Sequence, residues 1–344
     1  MAIRKPTQQS VARTLSAEEY AEGILSGNRV RLSQAITLIE STIADHRRLA
    51  EEIIERCIPH AGRSIRLGIT GIPGVGKSTF IEALGLYVIK QHQRQLAVLA
   101  VDPSSSRTHG SILGDKVRMS ELARQDNAYI RPSPSAGSLG GVARKTRESI
   151  LLCEAAGFDT IFVETVGVGQ SETAVHSMVD CFLLLMIAGA GDELQGIKRG
   201  IMEMADIVAI NKADGENQER ARRAANEYSQ ALHLYPTPDS GWQPEVLTCS
   251  ALNSTDIDSV WDRVLAHYEH MQARNLFSAH RREQARHWLR QSLQDDLWQD
   301  FLQHPEIATR YPELEQRVLR GEMNSFAAAR QLLEAYTGKR PPAR

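Results

Sequence analysis

Residues 71 to 78 read Gly-Ile-Pro-Gly-Val-Gly-Lys-Ser, a complete G-x-x-x-x-G-K-[ST] phosphate-binding loop, and nothing else in the 344-residue chain restricts its fold as tightly. Such a loop works only with a strand feeding it and a helix leaving it. The stretch Ile65 to Ile69 supplies the strand, and Ser78 to Ile89 carries helical spacing. Gly71, Gly74 and Gly76 let the backbone turn tightly with its N–H groups facing inward, and Val75 and Thr79 complete the phosphate-facing stretch. The N–H groups and the helix N-terminus attract phosphate. Lys77 is expected to reach the β- and γ-phosphates, and the Ser78 hydroxyl to bind Mg²⁺.

Around this loop the chain falls into three zones. Residues 1–62 read as an N-terminal helical extension. Ser16 and Glu19 form a capping box, the first helix should stop near Ser26-Gly27-Asn28, and Leu32, Ala35, Ile36, Leu38, Ile39, Ile43, Leu49, Ile53 and Ile54 give a second helix its spacing. Residues 63–254 alternate apolar strands with helical stretches: Arg66–Thr70, Leu96–Val101, Asn127–Arg131, Thr160–Glu164, Cys181–Ile187, Ile207–Asn211 and Glu245–Thr248. Continuously apolar strands flanked by helices predict an α/β fold with a mainly parallel sheet covered on both faces. Ligands of such sheets bind at the carboxyl ends of the strands. Residues 255–344 return to helix. Ile257, Val260, Trp261, Val264, Leu265 and Tyr268 form one stripe, and Leu289, Leu293, Leu297 and Phe301 another. Pro305 and Pro312 interrupt, and Asn324-Ser325 caps a last helix closed by Gly338. These helical stripes predict a dimerisation arm and a homodimer.

The base and the metal are read from residues that follow strands. Asn211-Lys212-Ala213-Asp214 comes straight after Ile207–Ile210. A carboxylate at 214 accepts two hydrogen bonds from guanine N1–H and its exocyclic amine. Adenine has no such donor pair and would leave the carboxylate desolvated and unpaired. GTP/GDP is therefore expected over ATP. Lys212 can lie along the base, and Asn211 can tie this loop to the phosphate loop. Ser250-Ala251-Leu252 follows the last strand, with backbone amides that could reach guanine O6. Glu164 ends its strand where an acid can hold Mg²⁺ directly or through water, and Gly167 can give its N–H to the γ-phosphate. Asp102 and Asp115 also lie in reach of the metal shell, with a turn before proline and a helix N-cap as their plainer roles. Val168 follows Gly167 where a glutamine would orient water, so slow intrinsic hydrolysis is expected. The Ser/Gly-rich segment Pro134 to Gly141 and the glycine-rich segment Gly189 to Lys198 read either as loops over the site or as plain connections.

Composition narrows the rest. With 42% apolar and 24% charged residues and a formal charge of −2, nothing drives the chain toward nucleic acid or anionic lipid. Arg281, Arg282, Arg286 and Arg290 are diluted by Glu283, Asp295 and Asp296, which reads as a solvated helix face. Cys181 to Ala188, the longest apolar run, is too short to span a bilayer, so no membrane partner is expected. Cys57, Cys153, Cys181 and Cys249 are widely spaced, and Met1 to Ser10 lacks an apolar core; both suit a reduced, cytoplasmic protein. A metal-delivery role would need a His- or Cys-rich tract. His267 and His270 have no third ligand nearby and read as surface histidines.

Taken together, the motifs resemble the P-loop GTPases marked by a glutamate in an E-x-x-G element, and more closely the MeaB/ArgK family. The resemblance rests on residues 71–78, Ala-Val-Asp-Pro-Ser-Ser at 100–105, Gly-Ser-Ile-Leu-Gly-Asp-Lys at 110–116 and Leu-Gly-Gly-Val-Ala-Arg-Lys-Thr at 139–146. Glu-Thr-Val-Gly-Val-Gly-Gln-Ser at 164–171 and Asn-Lys-Ala-Asp at 211–214 complete it. Thr108-His109 and Val117 depart from the pattern. The resemblance implies a homodimeric GTPase that chaperones adenosylcobalamin-dependent methylmalonyl-CoA mutase, gating cofactor loading and protecting the enzyme. By the same resemblance Asp102, Asp115 and Glu164 serve metal and switch, Asn211 and Asp214 read guanine, and Lys198 closes a third switch. A competing reading is an ATP-dependent kinase of amino-acid transport proteins. Asp214 argues against it, as does the lack of a kinase-type catalytic loop.

Overall fold

A computed structural model of the chain describes residues 15–101, 119–132, 139–165, 171–189, 199–236 and 238–338. Seven strands form one sheet: β1 (Ile65–Gly71), β2 (Leu96–Val101), β3 (Ala128–Arg131), β4 (Thr160–Thr165), β5 (Cys181–Ile187), β6 (Ile207–Asn211) and β7 (Glu245–Thr248). Their order is β3-β2-β4-β1-β5-β6-β7, and every pairing is parallel. The inner strands are buried along almost their whole length, which is why their sequences are continuously apolar rather than alternating. β1 lies at the switch in strand order, between β4 and β5, where a doubly wound sheet opens its crevice.

Helices α1 (Ala17–Leu25), α2 (Arg29–Glu40) and α3 (Ala44–Cys57) precede the sheet. The capping box forms as expected, with the Ser16 hydroxyl accepting from Glu19 N and the Glu19 carboxylate accepting from Ser16 N. The second predicted helix is in fact two. Ser41 leaves the helical path and its hydroxyl accepts from Ile43 N at 3.2 Å, a local bond that competes with the helical ladder. Between the strands run α4 (Lys77–His92), α5 (Leu139–Ala155), α6 (Ser171–His176), α7 (Arg199–Glu203) and α8 (Gln218–Leu232), and α9 (Ile257–Ala273) follows β7. α2 and α3 pack on α5, whereas α9 packs on α4 with the fully buried Trp261 against Phe162 of β4.

Residues up to Arg281 form one compact unit and 282–344 a second, with α10 (Leu276–Gln303) passing from one to the other. In the second unit, α11 (Pro305–Leu319) and α12 (Ser325–Thr337) gather Phe301, Ile307, Leu314, Ala328 and Leu332 into a small core. Asn324 caps α12 and Gly338 ends it in the left-handed conformation. Pro305 starts α11, but Pro312 does not interrupt it. Pro312 sits on the exposed side, where the carbonyl it leaves unbonded can meet water. Of the predicted stripe on α10, Phe301 is buried while Leu289, Leu293 and Leu297 are 70%, 57% and 55% exposed.

Candidate nucleotide site

β1 ends in Gly71, where a Cβ would stand 2.5 Å from the Leu185 carbonyl oxygen of β5, so only glycine lets these strands close up before the loop. The chain then turns through Gly74 (φ +77°) and Gly76 (φ +91°), and Gly76 is the residue on which α4 begins. A helix of 16 residues therefore aims its unpaired N–H groups at the loop. Ser78 and Thr79 occupy the first turn, and Val75 is buried beneath the loop. The Lys77 ammonium folds back to donate to the Gly71 and Ile72 carbonyls at 2.8 and 3.4 Å. Burial lowers its pKa, against the pull of the Glu164 and Glu172 carboxylates.

β4 brings Glu164 alongside Ile69, two residues before Gly71. The buried Glu164 carboxylate lies 3.5 Å from the Ser78 hydroxyl. A hydroxyl facing one buried acid suits Mg²⁺, which takes one or two protein oxygens and fills its octahedron with phosphate oxygens and water. No cluster of three His, Cys, Asp or Glu that could cage a metal exists among the described residues. Asp102, Asp115, Gly167, Val168, Gln170, Lys198 and most of the two glycine-rich segments lie outside the described residues.

Asn211 joins the two ends of the site. Its Nδ2 donates to the Val75 carbonyl at 2.9 Å, and its Oδ1 accepts from Ala251 N at 3.0 Å and from the Cys249 thiol at 3.8 Å. A Cβ at Gly76 would crowd the same contact, standing 3.1 Å from Asn211 Nδ2, on a residue whose φ of +91° already favours glycine. Lys212, in the left-handed region at φ +61°, donates to the Gly74 carbonyl at 2.8 Å. Asp214 is half-buried and accepts from the Ser250 hydroxyl, which fixes one carboxylate oxygen. The amides of Ser250 and Ala251 are spent inside the protein, on Thr255 O and Asn211 Oδ1. Of the three amides expected to reach guanine O6, only that of Leu252 has no partner among the described residues.

Several residues here take roles that no motif position announced. Glu172, nearly fully buried in the first turn of α6, acts on Lys77 through its charge. Cys249 reaches Asn211, and Thr165 bonds Thr70. The histidine expectation is corrected: His267 is 3% exposed, 3.5 Å from Asp206 and edge-on to Trp242, and His270 is half-buried. Both lie on the apolar face of α9, so packing rather than solvent claims them.

Phosphate loop and base-reading loop on one edge of an all-parallel sheet put the chain among the P-loop GTPases. A family model described as "Methylmalonyl Co-A mutase-associated GTPase MeaB" matches residues 32–306. The chain belongs to that family. It is 51% identical over 319 residues to a probable GTPase of Mycobacterium tuberculosis, covering 93% of this chain and 95% of the relative. It is 45% identical over 327 residues to the mitochondrial methylmalonic aciduria type A homolog of Mus musculus, covering 92% and 79%. A crystal structure of a LAO/AO transport system kinase superposes with a TM-score of 0.75 at 38% identity, covering 95% of this chain and 99% of that one.

Proposed function

We propose that this GTPase is a nucleotide-driven switch that chaperones an adenosylcobalamin-dependent methylmalonyl-CoA mutase, controlling cofactor loading and protecting the loaded enzyme. The observation that carries the switch reading is the Asn211 bridge, which makes the phosphate loop and the base-reading loop one pocket. The mutase reading is supported by the family's description as mutase-associated and by the mouse relative's name.

Within the pocket, Lys77 turns from the Gly71 carbonyl to the β- and γ-phosphates, whose negative charge favours its ammonium form. The α4 N-terminus holds the remaining phosphate oxygens. Ser78 and Glu164 would hold Mg²⁺, with Asp102 and Asp115 serving its shell, and the ion would supply positive charge beside the transferred phosphoryl group. Gly167 senses the γ-phosphate, Lys198 closes a third switch, and Asn211, Lys212 and Asp214 hold guanine together with the Leu252 amide. With Val168 in place of a water-orienting glutamine, intrinsic turnover is slow. The protein is cytoplasmic, as its four buried free thiols suit a reducing compartment. It is a homodimer joined by its C-terminal helices, a reading supported by the exposed Leu289, Leu293 and Leu297 and by a 400 Å³ cleft in the same unit lined by Trp298, Phe301, Tyr311 and Leu332.

Co-purification with the mutase, with GDP and with a non-hydrolysable GTP analogue, tests the reading. Association that changes with nucleotide is expected. Equal recovery in both states, or none in either, removes the chaperone role and leaves a GTPase without this client. The kinase alternative predicts that ATP displaces bound GTP at equal concentration, which the Asp214 carboxylate opposes.

A further inference from the structure

The strand ends that carry the phosphate loop and the E-x-x-G segment are fastened to each other by a bond between two buried side chains. Thr165 Oγ1 donates to Thr70 Oγ1 at 2.7 Å, and both residues are fully buried. The backbone register of β1 with β4 runs from Ile65↔Thr160 to Ile69↔Glu164, so the hydroxyl pair sits one step beyond the last paired residues. It closes the seam between the strands just before each departs into its loop. On the other side of β4, Thr165 pairs with Val101, the residue before Asp102.

The two faces of β4 divide the work. Glu164 points to Ser78 on α4. Thr165, the next residue, points to the opposite face. There Gly68, two residues before Thr70, leaves room for the α6–β5 segment: a Cβ at 68 would stand 2.8 to 3.0 Å from Phe182, Val179 and Val175. Rotating the end of β4 by a few degrees would move Glu164 away from Ser78. The Thr165–Thr70 bond resists that rotation, and being buried it is not exchanged with water.

We infer that Thr165 and Thr70 form a positioning pair that fixes the carboxyl end of β4, and with it the metal-side carboxylate of Glu164, against the phosphate loop. The inference rests on the reading of Glu164 as the acid that faces Mg²⁺.

The test is a double-mutant cycle of Thr165→Val and Thr70→Val in the full chain, with Thr165→Ser as the conservative variant. Three quantities are read: single-turnover GTP hydrolysis, the Mg²⁺ concentration for half-maximal rate, and metal-free affinity for a fluorescent GDP analogue. Each valine variant is expected to lower hydrolysis about tenfold and raise the Mg²⁺ requirement severalfold, with GDP affinity held within about twofold. The double variant should match either single one, and Thr165→Ser should recover most of the rate. Hydrolysis and Mg²⁺ dependence within about twofold of the unaltered protein in either single variant would overturn the pairing, as would losses that multiply in the double variant. Should one valine variant not fold, the other still decides. Glu164→Gln separates this inference from its premise: an unchanged Mg²⁺ requirement there sinks the metal reading itself, whatever the threonines do.

Discussion

On the proposed reading, guanine is selected by a single side chain, the half-buried Asp214. Its position after an apolar strand and an Asn-Lys pair suffices to expect a guanine reader, because a carboxylate is the group that accepts from two adjacent donors. The structure adds how it is held: Ser250 occupies one oxygen and Asn211 anchors the loop beneath it. Asp214→Asn should therefore exchange guanine for xanthine preference by about a hundredfold or more, since the amide offers a donor where guanine also donates. Competition between GDP and xanthosine diphosphate measures it, and unchanged GDP affinity would count against the base assignment. Other residues gave no such signal. A threonine pair, a cysteine donor and a buried glutamate are ordinary residue types whose role comes from what lies across the sheet. His267 is different: it falls three residues after Val264 and seven after Val260, on the buried face that the stripe of α9 already marks.

At the scale of elements, the strands were legible nearly residue for residue. A strand covered on both faces must be apolar throughout, and polar or glycine-rich residues mark its ends. Helix breaks were harder. Ser41-Thr42-Ile43 ends one helix through a side-chain bond, while Pro312 continues another because its side faces water. The base of the sheet holds an ionic network no pattern announced. Arg66 of β1 donates from Nε and Nη2 to Glu154 of α5 at 2.9 Å each, Ser64 and Gly62 N donate to the same carboxylate, and Arg281 of α10 pairs with Asp180. Burial pushes the Glu154 carboxyl upward, but the charge of Arg66 and the bonds from Arg66 and Ser64 prevail and hold it below its ordinary value of 4.5. A depressed carboxylate stabilises the fold fully above that value and ceases to do so as pH falls through its folded pKa. Glu154→Gln should thus flatten the acid limb of the melting temperature below pH 4.5. At neutral pH it should cost about 3–5 kcal/mol, because Arg66 stays buried without its counter-charge. Thermal melts across about pH 3 to 7 measure both effects.

At the scale of the whole molecule, the stripe on α10 carries the homodimer reading into a test. Leucines that stay more than half exposed while a neighbouring phenylalanine is buried suit a surface completed by a second copy. Leu293→Glu with Leu297→Glu should shift the protein from dimer to monomer in sedimentation velocity, with GDP affinity unchanged. A mass already monomeric before substitution would remove the homodimer. Periodicity found these leucines but could not say what covers them, because it reports that a face is apolar and not which surface meets it. What the sequence determined alone was local: a glycine-rich turn between a strand and a helix, strands too apolar to be exposed, and a carboxylate just after the β6 strand. What only the tertiary structure decided was adjacency. Val75 meets Asn211 across 136 positions and Thr70 meets Thr165 across 95. Such contacts are fixed by strand order and register, which no stretch of sequence carries by itself.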